Sequence, residues 1–280
     1  MSGHPVVACY RSLDSADGVQ LGASLASALG EPLVLAAAYR YDPVALSARV
    51  LPEPENQRRA IAAQMALRRA RQFAAADIEI REEIVPATRI VDALIELARD
   101  VDACVLVVGR DTAGGVTRSL ITRAPCPVAV APLSVPLPQT GPWRRIGVAY
   151  DGSPTAHWAL VAATQLAQAI DAQLVLLAAG RTPEHAAAWL HVARLAVEGK
   201  VEHTSRPLVG PAALALDEAS GDLDLLVCGS RGHGRAVGAI LGSVSAHLIA
   251  HARCPVLVVP PVVWESDSGP LGITSAAANA

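Results

Sequence analysis

The chain has 280 residues, with 23 Lys or Arg against 26 Asp or Glu and a formal net charge of −3. That length suits about two domains of ordinary size, and the near-balanced charge carries no polyanion-binding signature, which excludes nucleic acid as an expected partner. Hydrophobic residues reach 52% while aromatics are only 3%, so the core must come from many small burials of Ala, Val, Leu and Ile.

Lys200 is the only lysine, and no Gly-Lys-Ser/Thr tripeptide occurs, which excludes a phosphate loop of the Walker A type. The five cysteines, Cys9, Cys104, Cys126, Cys228 and Cys254, form no CxxC pair, so no zinc site is indicated. They read as structural, reduced thiols, which points to the cytoplasm. Residues 1–5 show no basic region leading into an apolar run. No signal peptide and no membrane span are expected.

Taken in chain order, the apolar blocks repeat. The first, Val6-Val7-Ala8-Cys9-Tyr10-Arg11-Ser12, returns past the midpoint as Ile146-Gly147-Val148-Ala149-Tyr150-Asp151-Gly152. The second, Ala103-Cys104-Val105-Leu106-Val107-Val108-Gly109, returns as Leu223-Asp224-Leu225-Leu226-Val227-Cys228-Gly229. The third, Cys126-Pro127-Val128-Ala129-Val130-Ala131-Pro132, returns as Cys254-Pro255-Val256-Leu257-Val258-Val259-Pro260. Three blocks in the same order mark a tandem repeat. The stretch 133–142 is rich in proline, lacks periodicity and reads as a linker.

In the second half, 146–150 reads as a strand, and Ser153 can cap the following helix with Pro154 in its first turn. A strand is expected at 173–179, a helix at 183–197 and a weaker strand at 201–206. A helix at 211–219, a strand at 223–228, a helix at 243–252 and a strand at 255–259 complete the half. Continuous apolar strands alternating with helices predict an α/β fold. Each half is then a Rossmann-like, doubly wound five-stranded parallel sheet with helices on both faces. The expected domains are 1–132 and 143–262, joined by the linker, with 263–280 as a disordered tail. The last strands of the two halves, apolar and at sheet edges, are expected to pair with each other inside the chain, and a homodimer is a further assembly compatible with that pairing.

Ligands of such sheets bind beyond the carboxyl ends of the strands, at the point where strand order reverses. The loop that opens there after 228 holds glycines at 229, 232, 234, 238 and 242 and ends at a helix start. Glycine permits close backbone approach, and a helix N-terminus suits phosphate. Ser243 and Ser245 add hydroxyls. Asp151, across the crevice, can accept from ribose hydroxyls, but it could face phosphate only through a metal ion. An ordinary flexible loop with Ser243 as a helix cap is the plainer reading of the same residues.

The spacing Gly229, two residues, Gly232, nine residues, Gly242-Ser243 resembles the nucleotide-binding pattern of the universal stress protein family. So do the turn Asp151-Gly152-Ser153 and the Cys254-Pro255-Val256 ending. The resemblance covers both halves. It implies an adenine nucleotide alpha hydrolase-like fold and a site for ATP with Mg2+. The residues carried over are Ala149, Asp151 on the ribose side, Ala179 and Cys228 at the adenine, Gly229, Gly232 and Gly242 in the loop, and Ser243, Val244 and Ser245 at the phosphates. At 179 the family often has valine, and this chain has alanine.

The first half departs from the pattern. Arg11 stands where Asp151 stands, and 16 residues separate Gly109 from Cys126 where 24 separate Gly229 from Cys254. Eight loop residues are missing, and a degenerate site is expected, with one nucleotide per chain. Arg11 and Arg110 gripping another anion is the alternative. His247 and His251 have metal-ligand spacing on a helix but no HExxH glutamate between them, and read as a polar helix face. Arg231 can reach phosphate or solvent; His233 reads as solvated. No general base for attacking water is evident. The expected role is therefore a nucleotide-dependent regulatory protein in stress response with little or no turnover. Slow ATP hydrolysis, an adenylyl-transferring enzyme of the same fold, and a nucleotide-independent interaction module are the alternatives.

Overall fold

The computed structural model describes residues 3–10, 16–42, 53–74, 78–109, 115–132, 143–231, 241–261 and 269–272. The first half runs β1 (Val6–Cys9), α1 (Ala16–Leu29), β2 (Leu33–Arg40), α2 (Glu53–Ala70), β3 (Ile80–Ala87), α3 (Ile90–Asp100), β4 (Val105–Val108), α4 (Gly115–Arg123) and β5 (Val128–Val130). The second repeats the order: β6 (Arg145–Ala149), α5 (Pro154–Ala169), β7 (Gln173–Gly180), α6 (Pro183–Val197), β8 (His203–Val209), α7 (Ala212–Ala219), β9 (Leu225–Gly229), α8 (Ser243–His251) and β10 (Val256–Val259). The linker assigned to 133–142 lies outside the described residues.

The ten strands form one sheet in the order β3-β2-β1-β4-β5-β10-β9-β6-β7-β8. Each half contributes a five-stranded parallel sheet with the same internal order. The two meet at β5 and β10, which pair antiparallel through Val256 with Val130, Leu257 with Ala129, and Val258 with Val128. In each half the order reverses beside the first strand, between β1 and β4 and between β6 and β9.

Local sequence explains where the helices begin. Ser153 accepts a hydrogen bond from the Ala156 N–H at 3.2 Å with Pro154 next in line, and Thr182 likewise accepts from His185 at 3.3 Å with Pro183 following. Both are N-caps followed by a residue whose missing N–H costs nothing. The helices cover both faces. One core packs Leu21 and Leu25 of α1, Leu67 of α2, Leu160 and Leu166 of α5, and Leu190 of α6 against the sheet. The other packs Leu94 and Ile95 of α3, Leu120 and Ile121 of α4, Leu216 of α7, and Leu248 of α8.

Two expectations shift. The strand read at 201–206 lies at His203–Val209, because β8 is an edge strand whose mostly exposed side chains give no alternation, and its position is set by backbone pairing with β7. Pro207 is tolerated at such an edge. The tail assigned to 263–280 includes Leu271, only 1% exposed and part of the first core, so disorder does not hold at 269–272. The apolar side chain docks although nothing periodic surrounds it. The remaining tail residues, apart from Gly269 to Gly272, lie outside the described residues.

Candidate functional site

The reversal between β6 and β9 makes the crevice, and the turn after β6 shapes one wall of it. The Asp151 carboxylate accepts a hydrogen bond from the Ser153 N–H at 3.0 Å, closing a two-residue turn around Gly152. Gly152 has φ +75°, and a Cβ there would come within 2.1 Å of the Trp189 ring. Both the left-handed backbone and the close ring require glycine. The turn places Asp151 on the crevice wall and Ser153 at the start of α5.

The other wall comes from β9, which ends in Cys228 and Gly229. Burial pushes the Cys228 thiol up to about 12, so it is a neutral, weakly polar surface at neutral pH. Beyond it, the chain is fixed at both ends of the glycine loop. The Ser230 N–H donates to Val259 at 2.8 Å, and the Ser230 carbonyl accepts from Gly242 at 2.8 Å. The Arg231 carbonyl accepts from the Ser153 hydroxyl at 3.4 Å and from the Thr155 hydroxyl. Residues 232–240, with Gly232 and His233, lie outside the described residues.

These walls enclose a cavity of about 340 Å³, within the range of about 300–1,000 Å³ common for small-molecule sites. Nine of the ten residues picked from the sequence line it: Ala149, Asp151, Ala179, Cys228, Gly229, Gly242, Ser243, Val244 and Ser245. Arg231 lines it as well. The sequence reading missed Tyr150, Ala156, Leu177, Ala212 and Leu216. Tyr150 and Leu177 could have been found as neighbours of residues already chosen. Ala212 and Leu216 belong to α7, an apolar helix without any motif, and only the fold brings them here. Burial, reinforced by the neighbouring Asp151 carboxylate, raises the Tyr150 phenol, which stays protonated and can donate a hydrogen bond.

The N-terminus of α8 faces this space. Gly242 is its N-cap and, as a glycine, makes no side-chain capping bond. The first-turn N–H groups at 243–245 have no acceptor within the helix, and they sit at the positive end of its dipole. Three details of the sequence reading change. Ser243 is the first helical residue and not the cap. Gly242 has φ −63°, so no left-handed backbone requires glycine there. The Ser245 hydroxyl donates to the Gly229 carbonyl at 2.7 Å, which ties the helix to the end of β9. Ser245 therefore offers its backbone N–H, while its side chain holds the wall together.

Elsewhere, the His247 and His251 rings stack at 4.3 Å, and the His247 Nε2 lies 3.5 Å from an Asp217 carboxylate oxygen. Parallel stacked rings do not converge on an ion. Among the described residues no group of three or more His, Cys, Asp or Glu could hold a metal. None of the helices there is long and apolar enough to cross a membrane. In the first half, five residues separate Gly109 from the start of α4 at Gly115, where thirteen separate Gly229 from the start of α8. Arg11 and Arg110 lie outside the described residues.

Comparison with known proteins agrees with this architecture. The family model described as the universal stress protein family matches residues 3–132 and 179–260. A universal stress protein of Mycobacterium tuberculosis is 28% identical over 237 residues, covering 73% of this chain and 77% of its own. A second from the same species is 42% identical over 57 residues, or 20% of this chain and 18% of its own. The crystal structure of a universal stress protein from Archaeoglobus fulgidus superposes with a TM-score of 0.73 at 17% identity, over 94% of this chain and all of that one. With both halves matched in one continuous fold, the chain belongs to the universal stress protein family.

Proposed function

We propose that the second half binds ATP in the crevice between β6 and β9 and that the bound nucleotide, rather than its turnover, is the signal. One observation carries this reading: a single cavity joins an apolar pocket, a carboxylate at a fixed turn, and an uncapped helix N-terminus. Ala149, Leu177, Ala179 and Cys228 offer the small, flat surface an adenine needs. Asp151 lies where ribose hydroxyls can donate to it. The N–H groups of Ser243, Val244 and Ser245 suit phosphate oxygens, and Arg231 is among the residues that line the same cavity.

Magnesium fits as an ion carried on the phosphates. Mg2+ keeps much of its water and takes one or two carboxylates plus phosphate oxygens, and Asp151 is the carboxylate in the cavity lining. Apart from Asp151 that lining is apolar, hydroxyl-bearing or cationic, a set that holds a ligand and does not relay protons from water. We read the chain as two domains, 1–132 and 143–262, whose β5–β10 pairing persists in solution. A nucleotide that binds only the folded, closed site then stabilises one conformation of this pair.

Calorimetric titration of the whole chain with ATP and Mg2+ tests the reading. Saturation at one ATP per chain is expected, with adenosine binding more weakly. No heat and no thermal stabilisation at millimolar ATP would overturn it. Saturation at two equivalent ATP would overturn the degenerate reading of the first half.

A further inference from the structure

The two ends of the glycine loop are held in different ways. The exit is held by α8, through Gly242 to Ser230 and Ser245 to Gly229. The entry is held by the first turn of α5. Thr155 is 8% exposed, and its hydroxyl donates to the Arg231 carbonyl. The Ser153 hydroxyl accepts from Ala156 at 3.2 Å and turns its own hydrogen toward the same carbonyl at 3.4 Å. One carbonyl thus receives two hydroxyls from one helix turn.

The contact extends to the residue before. A Cβ on Gly229 would come within 2.5 Å of the Thr155 Oγ and within 2.8 Å of its backbone carbonyl carbon. Thr155 therefore touches the chain at both Gly229 and Arg231. A carbonyl buried against a helix costs free energy unless it is hydrogen-bonded, so the Arg231 peptide is bound to one orientation. That peptide is where β9 has ended and the loop begins, and it carries the cationic side chain that lines the cavity.

We propose that Thr155, seconded by Ser153, is a positioning residue for the phosphate end of the nucleotide site. It touches no ligand. It fixes the Arg231 peptide, and through it the direction in which the Arg231 side chain leaves the backbone, before any nucleotide arrives. A cationic residue set in advance does not have to be ordered on binding, and that ordering is a real cost of association. The inference rests on the nucleotide reading above and adds a division of labour. Ala149, Leu177 and Ala179 serve the base. The Thr155–Arg231 contact serves the phosphates.

The test is the ratio of ATP to adenosine affinity, measured by calorimetry in the full chain alongside the unfolding midpoint. Thr155→Val keeps the branched shape and deletes the hydroxyl; Thr155→Ser keeps the hydroxyl. Loss of one such bond, with the carbonyl left behind, should lower ATP affinity by about tenfold. Adenosine affinity should stay unchanged in Thr155→Val, and Thr155→Ser should restore the wild-type ratio. Thr155→Ala, which cannot overpack the turn, gives the same reading if the valine variant does not fold. An equal loss for ATP and adenosine, or an unchanged ratio, would overturn the positioning role. Wild-type protein that binds neither ligand would instead overturn the nucleotide reading itself.

Discussion

The two halves of the chain share a strand order, and α4 and α8 share a length of nine residues, yet beside the exchange of Asp151 for Arg11 they part in the length of one connection. From Gly109 in the first half to the start of the fourth helix there are five intervening residues, and from Gly229 in the second half there are thirteen. The fold does not need the longer connection. Sheet, crossovers and both cores form in the first half without it, so the extra residues serve something other than folding. What replaces them also differs. In the first half, Arg123 of α4 makes an ion pair with Asp92 of α3, and Arg89 stands beside it. In the second, the corresponding helices α7 and α8 frame the cavity.

The comparison is broken most directly by making the halves equal. Excising residues 232–239 gives the second half a connection of first-half length. ATP binding should fall by a factor above about one hundred, since two or more charge-assisted contacts of about 1.5–3 kcal/mol each are lost. The fold should persist, checked by circular dichroism and the thermal midpoint. Retained ATP affinity in the folded variant would show that the loop is not what separates the halves.

A smaller step is Gly229→Ala. The new methyl meets backbone as well as the Thr155 side chain, so α5 or β9 must shift. Overpacking of this kind costs about 1–3 kcal/mol, and ATP affinity should fall at least tenfold. The wild-type thermal midpoint in Gly229→Ala would show that the α5–β9 contact is looser than described. Smaller again is Asp151→Ala, which removes the carboxylate and the turn it closes on Ser153. A loss of about tenfold in ATP affinity is expected, and 2′-deoxy-ATP should lose less on this change than ATP does. An equal loss for both nucleotides would move Asp151 off the ribose.

The smallest effect concerns the first half alone. The Arg123 guanidinium hydrogen-bonded to Asp92 holds its carboxyl below the usual carboxylate range. A carboxyl with a depressed folded-state value adds stability above its unfolded value near about 4 and loses it as pH falls through the depressed value. Arg123→Gln should therefore lower the thermal midpoint slightly at pH 7 and progressively less as pH falls below the ordinary carboxylate range, with ATP affinity unchanged. A change in ATP affinity would mean that the halves are coupled through their helices.

Much of this was legible in the sequence because the relevant signals are local. The three repeated blocks marked strands, the Ser153-Pro154 pair marked a helix start, and the spacing of Gly229, Gly242 and Ser243 marked a loop at a helix N-terminus. What the sequence did not show depends on distance along the chain. Ala212 and Leu216 reach the cavity only because α7 packs against β7 and α8, and nothing in an Ala- and Leu-rich helix announces that. Ser245 looked like a phosphate donor, and its hydroxyl is spent on Gly229. Leu271 looked like part of an unpatterned end, and a single apolar side chain with a socket carries no periodicity to read.

The antiparallel meeting of β5 and β10 has a geometric consequence for any partner that would read the proposed nucleotide state. Every strand of the first half points against every strand of the second. The carboxyl ends of β6 and β9, where the cavity opens, thus lie along the same rim as the amino ends of β1 and β4. If the second half binds nucleotide as proposed, that rim would be uneven from end to end: the stretch at β6 and β9 would differ between filled and empty sites, and the stretch beside it, with Pro5 and Cys104, would not. A reader protein seated across both would be oriented by the constant part while it senses the variable one. Two identical subunits paired by the same strands would present a changeable stretch on each rim, and so would give such a reader two equivalent ways to sit.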